Sequence, residues 1–315
     1  MKLIIAMIAA ILAVTSAVAE IKPPTGGSDA LTIAIRNNAA PFAYRRQDKP
    51  DAEFRMEGYG GFIVDICKKA LDDMDIPQEK VRVLGVDVTE RFEIIDSKGA
   101  DILCAPVSIT PKLLEKYLFS MPVFLGGISF VTTPHQVDHN LKQNIVGVLG
   151  STTALERLES GELQKLFGKQ YATTITNYLE GRGSSHDSPV LKLDSYEEGF
   201  DMICQGNLVY MLGDIDILSY YIKNDQLNCE PFISRATISR EVLAVIFSPK
   251  FITDTSRKIG ELKPIEFFMK FQKTIFSLLQ DRQKIESMFK QHFPGKIKSQ
   301  ELDAFFRGFV RFPDF

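Results

Sequence analysis

The chain has 315 residues with 37 basic and 40 acidic side chains, a formal net charge of −3. That balance leaves no clustered basic footprint of the kind nucleic-acid binding requires. The apolar share, 45%, supports folded cores, and the length allows one large core or two modest ones.

The first nineteen residues read as a secretory signal peptide cleaved near Ala19: Lys2 is charged, Leu3 to Val14 is nearly all apolar, and Ala17-Val18-Ala19 is a small-x-small site. The apolar run is shorter than the roughly 18 to 20 residues of a spanning helix, which argues against an uncleaved anchor. No cysteine follows the cleavage point, so a lipid-modified N-terminus is not indicated. Glu20 to Ala30, rich in Pro, Gly and Ser, reads as a flexible lead-in. No later segment is long and apolar enough to span a bilayer, and the expectation is an exported, soluble chain.

Short apolar runs then alternate with helical patterns, the signature of α/β architecture. Leu31 to Ile35 opens as a strand. Gly61 to Met74 predicts a helix whose Phe62, Ile66, Ala70 and Met74 form one stripe, with Ile63, Cys67 and Leu71 beside it. Val81 to Val86 follows as a strand, Thr89 to Ser97 as a short helix, Ile102 to Cys104 as a strand, and Gly127 to Thr132 as another. A second series begins with Ile145 to Leu149 as a strand and Ser151 to Leu158 as a helix. Glu180 to Pro189 is a surface loop by composition. Ser195 to Gln205 reads as helix, Leu208 to Leu212 as strand and Asp214 to Lys223 as helix. Val242 to Phe247 is strongly β-forming, and two amphipathic helices follow around Phe267 to Leu279 and Ile285 to Phe293.

Cys67, Cys104, Cys204 and Cys229 are an even number in an oxidising compartment, so disulfides are permitted. Spacing leaves three pairings open beside four buried thiols, and no CxxC or CxxH unit suggests a metal site. Cys67 on the buried helix face and Cys104 on a neighbouring strand are placed where they could meet. His135, His139, His186 and His292 are scattered and expected to be exposed.

Seven motifs in order carry a resemblance: Ala40-Pro41-Phe42-Ala43-Tyr44; Gly58 to Asp65; Gly99-Ala100-Asp101-Ile102; Ser108-Ile109-Thr110-Pro111; Phe119 to Phe124; Gly150-Ser151-Thr152-Thr153; and Gly213-Asp214. From about Leu31 to Phe293 the chain resembles the amino-acid-type (family 3) periplasmic solute-binding proteins. The resemblance implies a periplasmic-binding-protein-like type II fold. Two α/β lobes, 28–132 plus 238–300 and 137–233, would be joined by a two-strand hinge through Thr132–Thr133 and Ser234–Thr237, with residues 301–315 as a tail. It also implies one disulfide within each lobe, Cys67–Cys104 and Cys204–Cys229. The ligand would lie between the lobes, where strand C-termini and helix N-termini converge. The implied role is a monomeric periplasmic receptor, without cofactor, that delivers a small polar ligand to an ABC permease. Two other roles stay open: a dehydratase-like enzyme on the same fold, and a sensory subunit for a membrane receptor.

The expected site follows residue by residue. Ser151, Thr152 and Thr153 start a helix, where free N–H groups, hydroxyls and the dipole make an anion seat; ordinary N-capping explains the same residues. The resemblance places the ligand carboxylate there and the ligand ammonium on Asp214, which is equally suited to cap a helix. Pro106 and Ser108 match the first lobe's ligand-bonding edge, and Tyr196 matches a side-chain contact in some relatives. Arg36 matches an arginine that grips a side-chain carboxylate in acidic-amino-acid binders, although a lone strand-end arginine is more often exposed. Arg91 matches the same subgroup as a structural residue near the site. Tyr59 and Phe42 are aromatic walls or plain core.

One position departs from the family: the arginine that clamps the ligand α-carboxylate is replaced by Leu113, between Lys112 and Leu114. Leucine offers none of the roughly 1.5–3 kcal/mol of a charge-assisted bond. Lys112 points about 100° away on a helix. Either the ligand is not a standard α-amino acid, or Arg36 and the Ser151–Thr153 turn hold its carboxylate. A receptor that has lost binding is the remaining reading. No nucleophile elbow, His-rich metal spacing or Gly-rich phosphate loop is present to support catalysis.

Overall fold

The computed structural model describes residues 30–134, 145–160, 173–175, 177, 189–224, 227–234 and 237–310. The expected signal peptide, nearly all of the lead-in, residues 180–188 of the predicted loop, three of the histidines (His135, His139 and His186) and residues 311–315 lie outside them.

In chain order the strands are β1 (Leu31–Arg36), β2 (Asn38–Ala39), β3 (Ala43–Arg45), β4 (Tyr59–Gly60), β5 (Val81–Val86), β6 (Ile102–Ser108), β7 (Leu118–Phe119), β8 (Phe124–Thr132), β9 (Val146–Leu149), β10 (Val190–Leu193), β11 (Tyr210–Asp214), β12 (Phe232–Ile233) and β13 (Ser239–Phe247). The helices are α1 (Phe62–Asp73), α2 (Arg91–Asp96), α3 (Pro111–Leu114), α4 (Thr153–Glu159), α5 (Tyr196–Cys204), α6 (Ile215–Asn224), α7 (Pro249–Ile252), α8 (Pro264–Gln280), α9 (Arg282–His292) and α10 (Gln300–Val310).

The main sheet runs β10-β9-β11-β8-β13-β6-β1-β5, with β12 beside β8 and β7 beside β13. Its two ends are parallel: β1 pairs with β5 and β6, and β9 with β10 and β11. Parallel strands are covered on both faces, which is why β1 and β9 are almost wholly buried and read as apolar runs. Between the ends, the nine-residue strands β8 and β13 pair antiparallel, Phe124 to Ile128 against Leu243 to Ser239. Strand β8 changes partner at Ile128, which faces Ser239 of β13 on one side and Asp214 of β11 on the other.

The helices form where the sequence supplies an apolar stripe and a start signal. In α1 the residues Phe62, Ile63, Ile66, Cys67, Ala70 and Leu71 are buried. Gly61 before it sits at φ 123°, and a Cβ there would lie 2.3 Å from the Phe42 carbonyl oxygen, so only glycine fits. Helix α8 starts with Pro264 at its first position, and Glu266 accepts a 2.9 Å bond from the Lys263 backbone N–H. Phe42, Phe62, Phe124, Phe289, Phe293 and Phe306 stack as one aromatic core group, with Phe42 and Phe124 centroids 4.9 Å apart, edge to face. Disulfides Cys67–Cys104, tying α1 to β6, and Cys204–Cys229, tying the end of α5 to the chain before β12, are both formed.

The structure differs from the sequence expectations at several places. Strand β6 continues four residues past Cys104 because it pairs with β13, and β13 begins three residues before Val242 because Ser239, Arg240 and Glu241 pair with β8. Strand β10 was not anticipated, and neither was the small sheet β2-β3-β4. Residues 301–310, set apart above as a tail, are helical: α10 buries Leu302 and Phe306 on the core. His292 was expected to be exposed and is 8% exposed instead. Its Nε2 meets Asp65 Oδ2 at 2.7 Å, an ion-pair partner that the sequence separation of 227 residues conceals. Burial alone would raise the Asp65 carboxyl, but the hydrogen bond and charge of His292, then Lys68, bring it below its usual range.

Candidate functional site

The C-terminal ends of the parallel strands from both ends of the sheet meet at one place. Arg36 ends β1 and Ser108 ends β6; Thr152 and Thr153 follow β9, Tyr196 follows β10, and Asp214 ends β11. Together with Arg91, Pro106, Ile128, Glu241 and Leu243 they line a cavity with about 50 Å³ of water-accessible space. Seven of the ten expected residues are therefore brought together: Arg36, Pro106, Ser108, Thr152, Thr153, Tyr196 and Asp214. Tyr59, Leu113 and Ser151 are not among the lining residues. Tyr59 is buried, and its hydroxyl donates to the Glu53 carbonyl at 3.1 Å. Leu113 is half-buried in α3 and packs against the group around Ala34, Leu103 and Tyr117. Ser151 is exposed at φ 55°, and only its carbonyl reaches inward.

The two arginines dominate the electrostatics. Arg36 is 3% exposed and Arg91 6% exposed, so Arg36 is not a solvated strand-end arginine. The Arg36 guanidinium donates through Nη2 to Asn38 Oδ1 at 3.0 Å. Arg91 donates to the Val88 carbonyl at 3.1 Å and to the Ser151 carbonyl at 2.6 Å, and lies 4.6 Å from the Phe92 ring centroid. Among the described residues neither has a carboxylate within ion-pair distance, and the Nε of each lacks a hydrogen-bond partner. Burial lowers the pKa of both; burial and the Arg36 charge together bring Arg91 down to about 9, still protonated at neutral pH. Both guanidinium groups remain dry cations.

The other groups are placed by local rules. Thr152 caps α4, its hydroxyl accepting from the Leu155 N–H at 3.3 Å and donating to the Leu149 carbonyl at 2.7 Å. Asp214 caps α6: Oδ1 accepts from the N–H groups of Asp216 at 2.9 Å and Ile217 at 3.2 Å. Capping uses one oxygen of Asp214, while the residue also lines the cavity. Burial pushes the Asp214 carboxyl up to about 7, against the lowering effects of its backbone bonds and of Lys296. Tyr196 packs against Gly213 of β11, where a Cβ would be 2.8 Å from its ring. Burial pushes the Tyr196 phenol up to about 12, which keeps it a neutral donor.

Glu241, Ile128 and the cavity-facing role of Arg91 were missed from sequence. Glu241 is 4% exposed, accepts from the Ser239 hydroxyl at 2.6 Å and stands 3.7 Å from Arg157. An acid at the head of the apolar run Val242 to Phe247 was the available signal. Among the described residues no group of three or more His, Cys, Asp or Glu is placed to hold a metal, and no helix is long and apolar enough to cross a membrane.

Strand ends from both halves of an α/β sheet, converging on a small, dry, charged cavity, define a receptor for a small ligand. The chain belongs to the bacterial extracellular solute-binding proteins, family 3, whose model matches residues 31–293. No curated protein sequence matches it. Similar solved structures include an ABC uptake transporter substrate-binding protein from Streptococcus pneumoniae with bound histidine. It is 14% identical at a TM-score of 0.62, covering 86% of this chain and 95% of that one. The arginine-, lysine-, histidine-binding protein ArtJ from Geobacillus stearothermophilus is 18% identical at 0.59, covering 87% and 99%. An ancestral amino acid-binding protein, a precursor of cyclohexadienyl dehydratase, is 15% identical at 0.58, covering 84% and 96%.

Proposed function

We propose that the protein is a periplasmic receptor that captures a small carboxylate-bearing ligand, an amino acid or a related acid or amine derivative, and delivers it to an ABC importer. The observation that carries this reading is the pair of buried guanidinium groups, Arg36 and Arg91, which line one cavity and, among the described residues, have no carboxylate within ion-pair distance. A buried cation lacking its counter-ion is unfavourable, and a ligand carboxylate is a bidentate partner for such a fork. Arg36, Ser108 and the Thr152–Thr153 turn hold the acid, Tyr196 donates a hydrogen bond, and Leu113 takes no part.

The lobes of this reading are 28–132 plus 238–300 and 137–233, crossing at Thr132–Thr133 just past β8 and at Ser234–Thr237 between β12 and β13. The cavity holds little more than a water or two, so ligand entry requires the lobes to part, and the ligand shifts the hinge equilibrium by binding both. Export by a signal peptide cleaved near Ala19 places the receptor where a permease can meet it.

The test is a thermal-shift screen of residues 20–315 against amino acids, hydroxy acids, keto acids and dicarboxylates. Binding to the native state alone raises stability by about 2.7 kcal/mol at a hundredfold excess over Kd. A hit that disappears in Arg36→Met supports the site. A hit unaffected by Arg36→Met places the ligand elsewhere.

A second reading rests on Asp214, a carboxyl held near neutrality inside the cavity, which is suited to general acid–base work. A dehydratase-like enzyme would consume its ligand; a receptor returns it unchanged after prolonged incubation.

A further inference from the structure

The acidic groups of the site are not all free to meet a ligand. Asp214 and Asp216 both face Gly126: a Cβ built there would lie 3.3 Å from Asp214 Oδ2 and 3.6 Å from Asp216 Oδ2. Asp216, 4% exposed, is ion-paired to Lys296, and the two line the neighbouring pocket with Pro41 and Tyr220 rather than the cavity of Arg36 and Asp214. Lys296 arrives from the far side of the chain, on the turn Pro294-Gly295-Lys296 just past α9 and outside the matched segment 31–293. That turn is anchored. Gly295 sits at φ 70°, Lys223 of α6 donates to the Pro294 carbonyl, and the Lys296 ammonium lies 5.7 Å from the Phe293 ring centroid.

The charges can then be assigned one by one. Lys296 answers Asp216 and, through space, Asp214. Arg157 and the Ser239 hydroxyl answer Glu241. Among the described residues Arg36 and Arg91 have no carboxylate within ion-pair distance, and Asp87 and Asp214 act on Arg36 only through space. An α-amino acid would bring its own ammonium to a carboxylate pair that already has a cation beside it, and two like charges in a dry site repel strongly. A carboxylate ligand without an ammonium meets the two arginines and leaves Asp214 and Glu241 to the cations already near them.

We infer that Lys296 is a specificity-determining residue, a built-in cation beside the acids that would receive a ligand ammonium, and that the cleft prefers small carboxylates lacking an amino group over the matching α-amino acids. The inference rests on the receptor reading above and names the ligand class for the same site. Burial pulls the Lys296 ammonium below its usual range and the Asp214 charge pushes it back, which fits a cation held in place by its acids. The leucine at position 113 accords with this: a site that takes a different ligand has no use for an α-amino-acid clamp.

The experiment is calorimetric titration at pH 8 with skeleton-matched pairs: L-glutamate against glutarate and 2-oxoglutarate, L-aspartate against succinate and L-malate, L-alanine against L-lactate and pyruvate. The wild type is expected to bind the amino-free member of at least one pair tenfold or more tightly than its amino acid. Lys296→Met is expected to shift that preference toward the amino acid by tenfold or more, and Lys296→Arg, which keeps the charge, to preserve it. A wild type that prefers the amino acid overturns the inference and leaves the receptor standing. A preference unmoved in a folded Lys296→Met protein overturns the assignment to Lys296. Should no member of any pair bind the wild type, the carboxylate-receptor reading falls, and this inference with it.

Discussion

Asp214 carries two duties that pull in opposite directions. As the cap of α6 it must present an oxygen to two backbone N–H groups; as a buried carboxyl it loses hydration, and its pKa rises from 3.8 to about 7. A carboxyl raised in the folded state binds a proton that the unfolded chain has released, so between about pH 4 and pH 7 each step upward favours unfolding. Asp214→Asn retains an oxygen acceptor for the cap and removes the titration. In the ligand-free protein its thermal midpoint should fall less than that of the wild type between pH 5 and pH 8, the two diverging across that interval. Parallel midpoints at both pH values would show that this carboxyl is not raised. The dual role was legible in the sequence, since an acid directly after an apolar strand suits both a cap and a cleft. The buried environment was not, because it depends on Glu241 and Lys296, which are remote in the chain. Arg36 and Arg91 teach the same lesson: a single arginine in sequence looks solvated, and only the meeting of β1 with α2 and the Ser151 carbonyl makes a dry pair of them.

At the scale of elements, the long periodic segments were readable because their burial is one-sided or complete along several turns. The stripe of α1 and the runs of β1, β5 and β9 correspond closely to what the pattern predicts. Two-residue strands such as β2, β7 and β12 exist only because a partner strand passes, and no local signal marks them. Helix α10 is different. Leu302, Phe305, Phe306 and Phe309 fall at i, i+3, i+4 and i+7, a stripe that does predict a buried face, yet the segment stood beyond the motif series and was set aside as a tail. Phe306 is 5% exposed, with ring centroids 6.2 Å from Phe124 and 6.4 Å from Phe62. Phe306→Ala should therefore destabilise the protein by about 3–5 kcal/mol in urea unfolding, the range for emptying a buried phenylalanine site. A change below about 1 kcal/mol, typical of surface substitutions, would make α10 an appendage rather than a part of the core.

For the whole molecule, the sheet path and the side-chain bridges place different constraints on opening. Among the described residues, β8, β12 and β13 link the two parallel ends through backbone pairing. Side-chain contacts also cross the cleft: Arg91 to the Ser151 carbonyl, Lys112 to Glu156 at 3.0 Å, Arg157 to Glu241, and Lys223 and Lys296 to Pro294 and Asp216. Exposed ion pairs such as Lys112–Glu156 contribute little, about 0–1 kcal/mol, so hinge motion need only exchange a handful of weak bridges for water. The same pair gives a handle on that motion, since Lys112 is anchored in α3 and Glu156 in α4, on opposite sides of the cavity. Replacing them by Lys112→Cys and Glu156→Cys and joining the two thiols with a short bis-maleimide should hold the cleft shut. Ligand added after cross-linking should then fail to bind, and ligand loaded beforehand should fail to leave during dialysis, while the uncrosslinked double variant exchanges freely. If ligand enters the cross-linked protein at the uncrosslinked rate, entry does not proceed by separation of α3 from α4, and the route must run along the face between α6 and the Pro294-Gly295-Lys296 turn.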